Sequence, residues 1–342
     1  MIGRWLAFYT ITDLEKNRLL RDKNAVPAPE YVDLYHELLC DQMLLEETGS
    51  LFLTLFESVD NEEAAHRYKE LYDVRVRLQT AIAKTHEYSL KIIYDEYSEV
   101  QDPEEDKLFS MRGSLRLKAG QIKRRQVKNT ALRLLSVLDT PEIHAVIKKQ
   151  FLTAVNATDR AAAFGAWLNS SAAEKRELTQ IYMEECKKDL VAWEAFLSAV
   201  ASTDAPDCLE LVKLIESDPT FRIEQANDQR ALYGAFARNR KYSLQTADGL
   251  EFLKQTIIRL AGINEYSTVG LLNAFSIIDF MESEYYIPMV DVLVTVAESI
   301  DAEKSPSVYN RIIKLLVGAP KAVKLYEKEV KGISFLTRTE SA

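Results

Sequence analysis

The sequence predicts an all-α fold in which antiparallel helix pairs stack into a superhelix of the HEAT-like, or α-solenoid, type. The 342-residue chain has only 11 Gly and 9 Pro, too few for the many turns of a β-sandwich or barrel. Apolar residues recur at the three- and four-residue spacing of a single helix face. From residue 188 onward, predicted helix pairs begin roughly every 37 to 40 residues, a period typical of helical repeats.

Start signals and periodicity define helices in the first half of the chain. Residues 61–97 form one long amphipathic run that predicts a helix with a single buried face. Thr140 followed by Pro141 predicts an N-cap and a first helical residue. Ser171 with Glu174 predicts a capping box at the start of a later helix. The apolar residues that define the face in the long run are Leu71, Val74, Val76, Leu78, Ile82 and Ile92.

The second half of the chain supplies the predicted pairs. These are residues 190–201 with 206–217, 228–239 with 248–261, and 265–281 with 285–300, while 305–316 begins another pair. We predict one domain over residues 1–330, with sub-parts 1–100 and 101–330, followed by a partly disordered tail at 331–342. Stacked pairs form a curved array whose inner face usually binds or covers a partner. Periodicity alone leaves an irregular helical bundle as the alternative.

Charge limits the classes of partner. A net charge of −9 argues against a general binder of nucleic acid or of anionic membranes, because such surfaces need excess Lys and Arg. Residues 112–128 are locally basic, and we favour a charged helix face or an interdomain ion-pair surface there over a polyanion site. The basic residues of this segment are Arg112, Arg116, Lys118, Lys123, Arg124, Arg125 and Lys128.

Cysteine usage and hydropathy predict a cytoplasmic chain. The three cysteines, Cys40, Cys186 and Cys208, have neither metal-ligand spacing nor a disulfide pattern, which fits a reducing compartment. The N-terminal apolar run is interrupted by Asp13 and Glu15 before it reaches the length of an export signal. No segment approaches the run of about 18 apolar residues that would cross a membrane.

The stretch "HELLC", which begins at His36, resembles the start of a zinc-peptidase HExxH motif. That motif needs two histidines four residues apart on one helix face, together with a third protein ligand. Here the second histidine position holds Cys40, and His36 falls within an ordinary amphipathic helix pattern. We therefore predict no catalytic residue and no metal ligand in this chain.

Two stretches resemble the C-terminal region of the aminopeptidase N family, the bacterial-type alanyl aminopeptidases, which are zinc metallopeptidases. In residues 124–164 the matching elements are Arg125, Lys128 and Asn129, then Lys149, Gln150 and Phe151, then Asn156, Ala157, Thr158 and Asp159. In residues 221–239 the family residues retained are Phe221, Asn227, Arg230, Leu232, Gly234, Ala235, Phe236 and Asn239. The resemblance extends from about residue 3 to about residue 320.

This resemblance implies a non-catalytic domain that closes over the catalytic domain of the same polypeptide and limits its chamber to short peptides. The zinc and the catalytic residues would belong to that other domain, so we expect no cofactor in this chain. Where the family has N-P-Q-x-x-x-R, this sequence has Asn264, then Tyr266 and Gly270 at the Gln and Arg positions. Tyr266 and Gly270 are therefore two substrate-chamber candidates. Arg230 is the third, because its guanidinium is suited to binding peptide carbonyls or a carboxylate.

Other interpretations of single residues stay open at this point. Arg230 serves equally well as an intradomain ion pair. Asn227 is expected to cap a helix rather than to bind a ligand. Asn156 and Asp159 resemble a helix start. Asn129 and Arg125 are expected to be buried polar anchors between helices rather than substrate contacts.

Two other functions also remain open. One is a stand-alone helical-repeat scaffold that binds a peptide or protein partner. The other is an adaptor whose basic segment, residues 112–128, contacts acidic partners. An in-frame HExxH segment upstream in the gene would exclude the stand-alone scaffold.

Overall fold

The structure, a computed structural model, describes residues 2–98 and 111–330; the side chains of Ile2 and of residues 111–117 and the predicted tail at 331–342 lie outside the description. Within these ranges every regular element is helical. The chain divides into two compact units. Unit 1 comprises Met1–Ala64 and Glu70–Arg176, and unit 2 comprises Ala65–Lys69 and Glu177–Ala342. The single domain predicted over residues 1–330 stays a prediction.

The helices up to residue 168 are α1 (Ile2–Arg21), α2 (Pro29–Cys40), α3 (Gln42–Thr48), α4 (Tyr68–Ser98), α5 (Met111–Ser136), α6 (Pro141–Thr153) and α7 (Ala157–Leu168). In unit 1, α6 packs against α7, and α5 contacts α3, α6 and α7. The apolar faces of α5, α6 and α7 are buried, with Phe164 and Trp167 among the largest core side chains. This three-helix packing positions the polar cluster described below.

The remaining helices are α8 (Lys175–Cys186), α9 (Leu190–Ala201), α10 (Cys208–Glu216), α11 (Ala226–Gln229), α12 (Ala235–Arg238), α13 (Arg240–Ser243), α14 (Ala247–Ala261), α15 (Glu265–Leu272), α16 (Tyr286–Ser299), α17 (Pro306–Val317) and α18 (Pro320–Glu329). A π-helical turn, Arg230–Gly234, joins α11 to α12. A 3₁₀ segment, Asn273–Phe280, continues α15.

Unit 2 has the packing pattern of stacked helix pairs. Helix α14 packs against α16, and α16 against α18, whereas α15 packs against α17. Successive helices also contact one another, as α14 does α15 and α16 does α17. Alternate helices therefore form two adjoining layers, as in helical repeats. The predicted all-α, stacked-pair fold is confirmed.

One helix start is confirmed and one is wrong. Thr140 caps α6 through its hydroxyl, which accepts from the Ile143 N–H, and Pro141 is the first helical residue. The predicted capping box fails because α8 begins at Lys175, four residues after Ser171. The Ser171 N–H donates instead to the Asp139 carboxylate at 2.9 Å. Asp139 thus takes the place of the capping-box glutamate as the acceptor for the Ser171 N–H.

Helix α4 is kinked at His86, where φ is −119° and ψ is 25°. Before the kink the predicted apolar face holds, since Leu71, Leu78 and Ile82 are buried. After the kink Ile92 is 47% exposed, so its predicted burial is wrong. The buried face itself continues past the kink through Leu90 and Ile93, and Ile92 lies at its edge. None of the described helices is long and apolar enough to span a membrane.

Candidate functional site

The family-like residues of 124–164 meet at one buried carboxylate in unit 1. The Asp159 side chain is 7% exposed and forms an ion pair with Lys128 Nζ at 2.5 Å. Asn129 Nδ2 and Asn156 Nδ2 each donate to the same carboxylate at 2.9 Å. Gln150 Nε2 donates to the Asn129 side-chain oxygen and to the Asp159 carbonyl, both at 2.9 Å. We call these five residues the Asp159 cluster.

This cluster connects three helices. Burial would raise the pKa of Asp159, but hydrogen bonds from Lys128, Asn156 and Asn129 outweigh that effect and hold its pKa below the ordinary value. Asn156 also caps α7 by accepting from the Asp159 N–H. The prediction for Asn156 as a helix start is confirmed. Asn129 joins α5 to α6 and α7 through its hydrogen bonds but is only half-buried, and the prediction for Arg125 as a buried anchor stays a prediction. The Asp159 cluster therefore contributes to the fold.

The three residues predicted to line a substrate chamber lie around one cavity in unit 2. Arg230, Tyr266 and Gly270 all line this cavity, whose volume is about 600 Å³. Two segments of the chain supply its walls. The first lies within residues 226–240, and the second comprises Leu260 and residues within 266–274. We call it the arginine cavity, because Arg238 and Arg240 also line it.

Arg230 forms the predicted intradomain ion pair and also lies at the cavity, while its role in a substrate chamber stays a prediction. Its guanidinium lies at the cavity wall and pairs with Glu194 at 3.2 Å, yet its side chain is 67% exposed. The predicted capping role of Asn227 is wrong. Asn227 lies inside α11, and its Nδ2 donates to Glu194 Oε1 at 2.8 Å. Glu194 on α9 thus positions both side chains at the cavity.

Tyr266 and Gly270 form an open part of the wall. Tyr266 is 89% exposed, so its ring is available to a ligand rather than packed in the core. A Cβ added at Gly270 would have no heavy atom within 4 Å. A larger side chain could therefore occupy this position without displacing its neighbours.

Two cavity arginines were not predicted from the sequence. Arg240 donates to the Tyr68 hydroxyl at 2.8 Å and lies over the Tyr68 ring, 5.2 Å from its centroid. Arg238 is exposed, and no hydrogen bond or ion pair joins it to another described residue. Arg238 occupies a variable position of the family-like motif and Arg240 lies one residue beyond it. Within the predicted helix at 228–239, Arg238 lies about two turns from Arg230 on the same face, whereas Arg240 lies beyond that helix.

The motif asparagine Asn239 and the helix cap Asn264 hold the walls of the arginine cavity. Asn239 Nδ2 donates to the carbonyls of Ala201 and Thr203 at the end of α9, at 3.2 and 2.9 Å. Asn264 caps α15 by accepting from the Ser267 N–H, and its Nδ2 donates to Gln229 Oε1 at 2.9 Å. These hydrogen bonds connect the α11–α12 wall to α9 and to α15.

The basic segment is largely engaged within unit 1. Lys123 Nζ donates to the carbonyls of Glu46 and Glu47 near the end of α3, at 2.7 and 2.8 Å. Arg124 donates to the Glu96 carbonyl at 2.8 Å and lies over the Tyr97 ring. Cations near helix C-termini also interact favourably with the helix dipole. Lys123 and Arg124 thus bind backbone carbonyls of unit 1, while Lys128 forms an ion pair with Asp159. The interdomain ion-pair surface stays a prediction, and the side chains of Arg112 and Arg116 lie outside the description.

His36 belongs to a small polar contact between α2 and α4. Its Nε2 lies 2.7 Å from Ser89 Oγ and 3.4 Å from Cys40 Sγ, and its ring stacks on His86 with centroids 3.9 Å apart. Across residues 2–98 and 111–330, no group of three or more His, Cys, Asp or Glu side chains could hold a metal ion. The described residues do not fit a zinc site, and we assign them no metal-dependent step.

Comparison with known proteins places this helical chain in a repeat family. Residues 2–316 match the family model described as a domain of unknown function (DUF3458_C) with ARM repeats, and the chain belongs to that family. It is similar to the aminopeptidase N of Escherichia coli (strain K12), with 24% identity over 226 residues, which are 65% of this chain and 24% of that protein.

A solved structure shows the same fold. The crystal structure of Legionella pneumophila aminopeptidase A in complex with aspartic acid superimposes with a TM-score of 0.76 and 21% identity, over 92% of this chain and 36% of that one. The matched part of this chain therefore spans about a quarter of the first relative and just over a third of the second. Together with the family model, these matches confirm the resemblance to the C-terminal helical domain of the aminopeptidase N family.

Proposed function

We propose that this chain is the non-catalytic C-terminal domain of a zinc aminopeptidase that removes N-terminal amino acids from peptides. It closes over the catalytic domain of the same polypeptide and restricts access to short peptides. Zinc belongs to that catalytic domain, and the protein works in the cytoplasm. The observation that carries this proposal is the likeness to aminopeptidases over most of the chain.

The arginine cavity supports a direct role for this domain in peptide binding. Ligand sites in proteins typically enclose about 300 to 1,000 Å³, and this cavity of about 600 Å³ lies within that range. Its lining combines an exposed aromatic ring, Tyr266, with amide and guanidinium groups that can bind peptide carbonyls. In this role the domain contributes to catalysis through contacts with the part of the peptide remote from the scissile bond.

The test is the substitution Tyr266→Ala in the full-length parent protein. Long substrates alone can use binding energy from a remote wall in the transition state. We expect kcat/KM for tri- and tetrapeptides to fall several-fold, on the order of 1 kcal/mol, while single aminoacyl amides stay nearly unchanged. Steady-state kinetics with both substrate classes measure this selectivity.

Tyr88→Ala is the matched control. Tyr88 is 80% exposed on α4 and does not line the arginine cavity, so its removal should leave both substrate classes unaffected. If Tyr266→Ala lowers the rates for amides and peptides equally, Tyr266 acts through packing. The assignment of this cavity to the peptide chamber then fails.

A further inference from the structure

The arginine cavity is strongly cationic within an acidic protein. Three of its lining residues are arginines, and none of the described residues that line it is Asp or Glu. The whole chain carries a net charge of −9. A local excess of positive charge in a concave surface attracts anionic ligands, because field lines are focused there.

The nearby carboxylates only partly neutralise these arginines. Glu194 pairs with Arg230, at 3.2 Å. Glu265, the acidic residue next to Tyr266, accepts instead from the Ser307 and Val308 N–H groups at the start of α17.

Arg238 has the geometry of a ligand-binding side chain. Its Nη1 lies 3.5 Å from the position that a Cβ would take at Gly234, and Arg230 Cγ lies 3.9 Å from the same point. Both side chains therefore reach the same part of the cavity wall, beside a residue without a side chain. Arg240 is held in place by its hydrogen bond and stacking with Tyr68. Of the three arginines, Arg238 is the one that has no hydrogen bond or ion pair with another described residue.

We propose that Arg238, with Arg230 and Arg240, forms a carboxylate site that holds the C-terminal carboxylate of a short peptide. This inference rests on the proposed function, since it specifies what the chamber binds at this wall. A guanidinium presents two parallel N–H groups to a carboxylate, which makes it well suited to this anion. Every unmodified peptide carries such a group, ionised at neutral pH.

The experiment is isothermal titration calorimetry of this chain, at low salt, with trialanine and with trialanine amide. A hydrogen bond to a charged group contributes more free energy than one between neutral groups. Exposure to solvent reduces that contribution, as it does for ion pairs on protein surfaces. We therefore expect trialanine to bind about fivefold more tightly than the amide. Arg238→Gln should weaken trialanine to the level of the amide and leave binding of the amide unchanged.

Two further variants separate a binding role from a structural one. Glu194→Gln removes the carboxylate that competes for Arg230, so trialanine should bind about twofold more tightly; a purely structural ion pair predicts no gain. Arg176→Gln is the matched control, because Arg176 is exposed and does not line the cavity. This variant should bind trialanine and trialanine amide with the affinities of the wild type. Arg238 is itself exposed, so the thermal unfolding midpoint of Arg238→Gln should equal that of the wild type.

Equal binding of trialanine and its amide, or no binding of either, would overturn the carboxylate site. Neither result decides the chamber proposal, which depends on the Tyr266→Ala kinetics of the full-length protein. Ala-Asp-Ala-amide carries its only carboxylate on a side chain. If it binds as tightly as trialanine and also depends on Arg238, the site recognises acidic side chains and the C-terminal assignment is wrong.

Discussion

The two family-like stretches use their polar residues differently. In unit 1 the Asp159 carboxylate is 7% exposed and is bound by Lys128, Asn129 and Asn156. In unit 2 Arg230 is 67% exposed, and Arg238 is exposed without a partner among the described residues. A buried charge that loses its partners is costly, whereas an exposed charge needs none. The first set is therefore explained by folding, whereas the second set is the one to which we assign a ligand in our proposal.

The largest expected effect is that of Asp159→Ala in the Asp159 cluster. The substitution leaves the Lys128 ammonium, whose side chain is 12% exposed, without its counter-charge. Breaking a buried ion pair typically costs about 3–5 kcal/mol, and we expect a loss of that order in the free energy of unfolding. Urea denaturation measures it.

Asp95→Ala is the control for this loss, because Asp95 is an exposed carboxylate on α4 and its removal should change stability by less than about 0.5 kcal/mol. Equal, small losses for both variants would show that the Asp159 cluster does not stabilise the fold. The contrast between the two regions would then disappear.

A smaller effect concerns acid pH. Burial raises the pKa of Asp159, but the hydrogen bonds of the cluster outweigh this and place the pKa below the value of about 3.9 typical of an unfolded chain. A carboxyl with a lowered folded-state pKa stabilises the protein above the unfolded pKa, and this stabilisation is lost as pH falls through the folded pKa.

The difference in unfolding free energy between the wild type and Asp159→Asn should therefore be constant from pH 7 to about 5 and shrink below about pH 4. Urea titrations at each pH measure it. A difference that is independent of pH would mean that Asp159 stabilises the fold through hydrogen-bond geometry rather than through its charge.

Sequence patterns predicted some helices of unit 2 closely, although a π-helical turn interrupts the predicted helix at 228–239 and a 3₁₀ segment replaces the end of the one at 265–281. The predicted helices at 190–201 and 248–261 agree with α9 and α14 to within one residue. The failures arose where tertiary contacts compete with local signals. The Ser171 N–H bonds to Asp139 rather than to a capping-box glutamate, and Ile92 is exposed while its neighbour Ile93 faces the core.

The candidate site could be predicted only in part, for a related reason. Arg230, Tyr266 and Gly270 were identified by their positions in the family-like motif, and the structure places them around one cavity. Arg238 and Arg240 carry no motif signal. Their relevance depends on the approach of α11 and α12 to α15, which a one-dimensional pattern does not contain.

Hydrogen–deuterium exchange of this chain, with and without trialanine, tests most directly whether the two regions serve different purposes. If the arginine cavity binds the peptide, exchange should slow in residues 226–240 and 265–274 and remain unchanged in residues 128–160, which contain the Asp159 cluster. Slower exchange in residues 128–160, or no change at the arginine cavity, would contradict the division between a cluster that maintains the fold and a cavity that binds substrate.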